Sequence, residues 1–181
     1  MGYISNALDS AENDEEWRTE FTGEDKKELE NLGLKVEELD LKNYFGQKEK
    51  LRAKLQQLDM LWVSGGNTFI LRQAMKLSGL DELLQELRGN ASFVYGGYSA
   101  AGCVLSPNLE HLQTVDDPTQ HPYANFKETI WEGLAFIDYA FLPHYESDHP
   151  ESADIDKEVA YCEHNKIPYR TLRDGEVILL F

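Results

Sequence analysis

Cysteine and basic residues are both scarce in this sequence of 181 residues. The two cysteines, Cys103 and Cys162, are too few for a disulfide scaffold and lack the paired spacing of a zinc site. Lysine and arginine number 17 against 33 acidic residues, which leaves a formal net charge of −16. Because so negative a chain repels phosphate backbones and anionic membranes, we expect neither a nucleic-acid nor a membrane partner.

The sequence also lacks a long apolar run. No segment approaches the ~20 apolar residues that span a bilayer, and residues 1–5 lack the basic flank and apolar stretch of a signal peptide. Apolar residues make up 41% of the chain and charged residues 28%, which is typical of a globular protein. We therefore expect one domain over residues 1–181, in the cytoplasm and with reduced cysteines.

Strand-like and helix-like segments alternate along the chain. The pattern predicts strands at 2–5, 34–41, 60–64, 92–95 and 139–142, and helices at 12–32, 47–58, 67–76, 81–87 and 153–165. The segments 169–172 and 176–181 are predicted to form a hairpin that turns at Arg173, Asp174 and Gly175. Strands separated by helices indicate a mostly parallel sheet, so we expect a flavodoxin-like three-layer α/β/α sandwich.

Two strand-to-turn junctions are rich in glycine: VSGGNT at 63–68 and YGGYSAAG at 95–102. Ligands of open parallel sheets bind beyond the carboxyl ends of the strands, where these junctions lie. Ser99 follows an apolar strand, has small neighbours and opens a predicted helix, which is the pattern of a nucleophile elbow. A serine in such a loop can also simply cap the helix, and the pattern by itself leaves both interpretations open.

A serine nucleophile needs a general base, and His144 is the best-placed histidine. It follows the predicted strand 139–142 through Pro143, which puts it at the same sheet edge as Ser99. A second histidine, His149, lies nearby, but the spacing of the segment 144–149 fits no standard metal motif. We therefore expect neither a metal nor an organic cofactor.

Four segments together resemble the peptidase E family of serine peptidases. This family includes α-aspartyl dipeptidase and cyanophycinase, and its fold is related to that of the class I glutamine amidotransferases. The matching segments are VSGGNT (63–68), GYSA (97–100), SPN (106–108) and LPHY (142–145), in the order of the family. The resemblance implies a serine peptidase that hydrolyses small peptides through an acyl-enzyme. Such an enzyme would be dipeptidase-like, and peptides with an N-terminal aspartyl residue are one candidate substrate.

The resemblance also implies roles for individual residues. Ser99 matches the nucleophile, and His144 matches the general base and acid. The residues that match the substrate and oxyanion positions are Gly65, Gly66, Asn67 and Ala100.

The third member of the triad, the orienting acid, has more than one candidate. Asp116 lies after the SPN segment, where some family members carry a triad aspartate. Asp174 matches an acidic position near the C-terminus that has the same proposed role, and Glu176 lies close behind it. Each aspartate also fits a plain turn, so the sequence leaves the choice open.

The chain departs from the family pattern in three places. Ala101 stands where the elbow usually has its second glycine. Members that cleave aspartyl dipeptides carry an arginine after the histidine segment, which pairs with the substrate's aspartyl carboxylate. Here residues 151–158 contain four acids and no arginine. Lys157 is a single point charge and lacks the two-pronged hydrogen bonding of a guanidinium group. The resemblance also implies a strand and a helix before Tyr3, and we expect this chain to lack them.

These departures support a second hypothesis, a catalytically silent, truncated family member that acts as a binding or structural module. A missing strand would expose its neighbour to another chain, so both a monomer and a homodimer are expected states. Glutamine amidotransfer is disfavoured because that chemistry uses a cysteine at the elbow, and Cys103 lies beyond Ser99 inside the predicted helix.

Overall fold

Four short parallel strands form the main sheet in the computed structural model, which describes residues 1–10, 15–124 and 126–180. The strands are β1 (Gly2–Ile4), β2 (Glu37–Glu38), β3 (Met60–Val63) and β4 (Val94–Gly97). Their order in the sheet is β2-β1-β3-β4, and every neighbouring pair is parallel. This is the strand order of flavodoxin-like folds, and helices cover both faces of the sheet. The predicted fold class is confirmed.

The described residues contain six α-helices. They are α1 (Glu15–Asn31), α2 (Lys48–Leu55), α3 (Thr68–Ser78), α4 (Leu80–Leu87), α5 (Ala100–Cys103) and α6 (Ser152–Asn165). Residues 12–14 of the predicted first helix lie outside the described residues. None of the helices in the described ranges is both long and apolar enough to cross a membrane.

Helix α3 shows why the helices begin and end where they do. The side chain of Asn67 accepts hydrogen bonds from the N–H groups of Phe69 and Ile70, which caps the amino end. At the other end Gly79 adopts a left-handed φ of 77°, which stops the helix. Between these caps Ile70 lies in the main core with Ile4 of β1, so the helix is packed firmly against the sheet.

The predicted C-terminal hairpin is wrong. Strands β5 (Ala140–Leu142) and β6 (Tyr169–Thr171) pair with each other in parallel, and residues 176–180 form no strand. The reason is topological: α6 lies between β5 and β6, and a strand–helix–strand crossover places the two strands side by side in the same direction. Phe181, the last residue of the predicted hairpin, lies outside the described residues.

The predicted strand at 34–41 is much shorter than expected. Only Glu37 and Glu38 pair, at the edge of the sheet, and both are exposed. The chain then turns into a short 3-10 helix, Leu41–Tyr44, because the Asp40 carboxylate accepts a hydrogen bond from the N–H of Lys42 at 2.9 Å. A hydrogen bond from the backbone to a side chain thus takes the place of the strand–strand hydrogen bonds that the alternating pattern predicted.

Candidate active site

Ser99 lies in a strained turn between β4 and α5. Its backbone angles are φ 50° and ψ −115°, a conformation that residues with a side chain rarely adopt. The side chain is half-buried, and its hydroxyl has no hydrogen-bond partner within the described ranges. A strained serine between a strand and a helix is the geometry of a nucleophile elbow, in which the turn presents the hydroxyl at the sheet edge.

The backbone around the elbow is packed too tightly for larger residues. A Cβ added at Gly97 would lie 2.2 Å from the carbonyl oxygen of Val63 and 2.5 Å from Cβ of Ala101. The methyl group of Ala101, which replaces the family's second glycine, therefore occupies space that the glycine at 97 leaves free. The substitution at 101 is accommodated locally, and Ala101 is buried.

The first glycine-rich turn lies directly against the elbow. A Cβ at Gly65 would come within 3.2 Å of Cβ of Ser99, so the turn that follows β3 touches the serine. Gly66 has a left-handed φ of 128° and faces the carbonyl of Ala7, where a Cβ would clash at 2.6 Å. The N–H groups of Gly66 and Ala100 have no acceptor in the part of the chain that the structure describes. Two unpaired N–H groups beside a serine can stabilise a developing oxyanion.

Asn67 has a structural role in this arrangement. Its side-chain oxygen caps α3, and its side-chain NH₂ donates to the carbonyl of Asp117 at 3.0 Å. Both ends of the amide are therefore engaged within the chain, unlike the N–H groups of Gly66 and Ala100.

His144 is held by Asp174. Its Nδ1 lies 2.7 Å from Oδ1 of Asp174, and its imidazole is 11% exposed. Asp174 itself is 46% exposed and accepts no other hydrogen bond within the described ranges. Because the carboxylate holds Nδ1–H, Nε2 keeps the lone pair that a general base requires.

The remaining two acid candidates have other partners. Asp116 accepts a hydrogen bond from the N–H of Thr68 at 2.8 Å, at the start of α3. Burial raises its pKa to about 6. Glu176 accepts from the N–H of Arg173 at 3.0 Å and closes the turn around Asp174. Neither carboxylate forms a hydrogen bond to His144 in the described structure.

Helix α5 and the residues that follow it contact strand β5. The hydroxyl of Ser106 accepts from the N–H of Phe141 at 3.1 Å, while the thiol of Cys103 lies 3.8 Å from the carbonyl oxygen of Phe141. These contacts connect the helix that begins after Ser99 with the strand that precedes His144. The described residues show no direct hydrogen bond between Ser99 and His144. Such bonds are often long without substrate.

Two functional features were missed from the sequence. The hydroxyls of Tyr98 and Tyr3 donate to the same oxygen of Asp25, at 2.6 and 2.7 Å, and so tie helix α1 to the residue before the nucleophile. No spacing motif links residues so far apart in the sequence. The second feature is Glu158 of α6, which is 1% exposed and has no partner for either carboxylate oxygen among the described residues.

His144 and His149 form a group with Glu151 that could hold a metal ion. The two imidazoles are stacked with ring centroids 3.7 Å apart. One nitrogen of each ring and one oxygen of Glu151 lie within 4.8 Å of one another. The loop of segment 144–149 thus brings together two histidines that the sequence spacing left unconnected.

A comparison with known protein families identifies the family of this chain. A family model described as "Peptidase family S51" matches residues 10–180. The chain belongs to peptidase family S51. The resemblance to peptidase E that the four segments carry is therefore confirmed.

Named relatives agree with this family. An uncharacterized peptidase of Listeria monocytogenes is 38% identical over 120 residues, which are 66% of this chain and 55% of the relative. A peptidase E of Streptomyces coelicolor is 30% identical over 129 residues, 68% of this chain and 49% of the relative. The chain thus spans about half the length of the curated relatives it matches.

A solved structure matches over nearly the whole chain. The crystal structure of a candidate peptidase E protein from Listeria monocytogenes superposes with a TM-score of 0.72 at 29% sequence identity. The match covers 98% of this chain and 83% of that one. The S51 fold therefore extends across the elbow, the glycine-rich turn and the histidine loop.

Proposed function

We propose that this S51 chain is a serine-type peptidase that hydrolyses small peptides, with Ser99, His144 and Asp174 as its catalytic triad. The observation that carries the proposal is the 2.7 Å bond between His144 and Asp174, which supplies the base and the orienting acid that the strained Ser99 requires. A serine, an imidazole with a free Nε2 and a carboxylate behind it are the three parts of acyl-transfer catalysis. Membership of a peptidase family supports the same reaction class.

The first half of the reaction is acylation. Nε2 of His144 takes the proton of the Ser99 hydroxyl as the oxygen attacks the peptide carbonyl carbon. Asp174 keeps the proton on Nδ1 and stabilises the imidazolium that forms. His144 then gives the proton to the leaving amine, which breaks the peptide bond and leaves an acyl ester on Ser99.

Charge on the carbonyl oxygen is balanced by backbone groups. The N–H groups of Gly66 and Ala100 are the proposed donors, because both are unpaired in the described structure. Ala100 directly follows the serine, and Gly66 follows the glycine that lies against it. In deacylation His144 removes a proton from water, which attacks the ester carbonyl, and then returns that proton to the Ser99 oxygen as the acid is released. The proposed mechanism uses no metal at any step.

The proposed substrates are dipeptide-like, and the charge of the protein bears on which ones. Lys157, the one base of the stretch 151–158, forms an ion pair with Asp154. The net charge of −16 also repels an acidic side chain. We therefore propose that peptides with an uncharged first residue are cleaved at least as fast as N-terminal aspartyl peptides, and a matched panel of dipeptides measures this directly.

Labelling with a fluorophosphonate probe tests the nucleophile. We expect one label per folded chain, located on Ser99 by peptide mapping and lost in Ser99→Ala. The control variant Ser92→Ala removes an exposed serine near β4 and should label normally. If folded protein takes up no label on Ser99, the silent binding or structural module becomes the better description and the proposal fails.

A further inference from the structure

The group formed by His144, His149 and Glu151 has the composition of a transition-metal site. Two imidazoles and one carboxylate are a ligand set that Zn²⁺ binds in proteins, with a water in the fourth position. Harder ions such as Mg²⁺ and Ca²⁺ prefer oxygen ligands, so the donor set selects against them. The loop that carries these residues is short, and all three side chains are half-buried at the same edge.

The distances fit an ion after a small adjustment. Metal–ligand bonds of about 2.1 Å allow two ligand atoms to lie at most about 4.2 Å apart. The present separations are within 4.8 Å, and Nδ1 of His149 is 3.9 Å from Oε2 of Glu151. The widest separation therefore has to shorten by at least about 0.6 Å. The two stacked imidazoles also have to turn out of their parallel arrangement by side-chain rotation, so that both lone pairs point at one ion.

The surroundings favour a cation as well. Asp174 holds Nδ1 of His144, which is the carboxylate–histidine arrangement that orients an imidazole towards a metal and raises its basicity. The net charge of −16 attracts cations to the surface. Nδ1 of His149 carries no proton, since it accepts a hydrogen bond from the N–H of Glu151 at 3.3 Å, and it is a metal ligand once that bond is released.

We propose that His144, His149 and Glu151 bind a divalent transition-metal ion, best represented by Zn²⁺, and that the bound ion inhibits hydrolysis. The inhibition rests on the proposed function, but the binding does not. A metal on Nε2 of His144 occupies the lone pair that takes the serine proton. A metal on Nδ1 displaces Asp174. Either way the histidine that binds the ion cannot act as the general base.

Binding is measured without any substrate. The chelator-treated full chain is titrated with Co²⁺, and the visible absorption of the protein-bound ion is followed, then displaced with Zn²⁺. We expect one site per chain. Both His149→Ala and Glu151→Gln should weaken binding at least about tenfold, as loss of a metal-site partner usually does. The matched control His164→Ala, which removes an exposed histidine of α6, should bind as the unmodified protein does.

Inhibition is measured separately, as the rate of fluorophosphonate labelling of Ser99 with and without Zn²⁺. We expect Zn²⁺ to slow labelling, a chelator to restore it, and His149→Ala to need at least about tenfold more Zn²⁺ for the same effect. Equal Co²⁺ affinity in all four proteins, or faster labelling with Zn²⁺, would overturn the proposal. Site-specific binding by a protein that never labels would instead leave the metal site standing and refute the peptidase.

Discussion

Oδ1 of Asp174 lies 2.7 Å from Nδ1 of His144 because two parallel strands end at the same edge. His144 follows β5, and Asp174 follows β6. In the hairpin predicted from the sequence, Asp174 would have been a turn residue between antiparallel strands, with no reason to meet the histidine. The crossover through α6 therefore creates the contact on which the proposed triad depends.

Replacing the two candidate acids one at a time separates their roles. Asp174→Asn should lower kcat/KM on a dipeptide by about 10²- to 10⁴-fold, since it removes the charge that stabilises the imidazolium and introduces an NH₂ donor that favours the wrong tautomer of His144. Asp116→Asn keeps an oxygen that can accept from Thr68 and should change kcat/KM by less than about threefold. Steady-state kinetics of both variants decides the matter. A larger loss in Asp116→Asn than in Asp174→Asn would contradict the assignment.

The strained backbone at Ser99 should lower the free energy of unfolding, and a comparison of two Ser99 variants measures by how much. Ser99→Gly relieves the φ of 50°, whereas Ser99→Ala keeps it. Strain of this kind costs about 1–3 kcal/mol, and the greater freedom of glycine in the unfolded chain offsets part of the gain. We expect the glycine variant to be about 1 kcal/mol more stable than the alanine variant, or about 2–4 °C in Tm. Both variants should be inactive. A glycine variant that melts below the alanine variant would show that the turn is unstrained.

The sequence predicted the parts of the fold that local signals determine. Apolar runs marked β3 and β4, glycines marked the turns after them, and Asn67 marked the start of α3. The elbow at Ser99 was visible for the same reason, because small residues around a serine are a local pattern. The histidine at position 144 followed from its place directly after a strand.

The rest depends on contacts between distant residues. The pairing of β5 with β6 is decided by the crossover of α6, whereas the sequence pattern predicted that segment 169–172 pairs with segment 176–181. Tyr98 meets Asp25 across 73 positions, and no spacing rule connects them. The proposed preference for Asp174 over Asp116 likewise rests on the contact between Asp174 and His144, since both aspartates lie in ordinary turn sequences.

A methyl group added beneath the elbow should disrupt it. Gly97→Ala places a Cβ 2.2 Å from the Val63 carbonyl oxygen, so backbone must move, and we expect a loss of about 3 kcal/mol in the free energy of unfolding. The matched control is Gly23→Ala in α1, where an added Cβ meets nothing within 4 Å. That variant should gain about 0.5–1 kcal/mol, because alanine favours a helix. Chemical denaturation measures both, and similar stabilities would refute the packing argument.

Glu158 should make the protein less stable as the pH rises. Burial, followed by repulsion from Asp116, Glu151 and Asp154, raises its pKa from 4.5 to about 9. Between these values the folded state binds a proton that the unfolded state has released, so the free energy of unfolding falls with increasing pH. The pKa of Asp116, raised to about 6, acts in the same direction over a narrower range.

Glu158→Gln removes this titration. The stability of the variant should therefore rise relative to that of the unmodified protein as the pH increases. We expect the difference in Tm, variant minus unmodified, to grow between about pH 5 and pH 9, where each 1 kcal/mol corresponds to about 2–4 °C. Asp156→Asn, an exposed acid-to-amide change on the same helix, should leave the difference flat. A constant difference for Glu158→Gln across this range would mean that the buried carboxyl ionises normally and that its two unpartnered oxygens are solvated in solution.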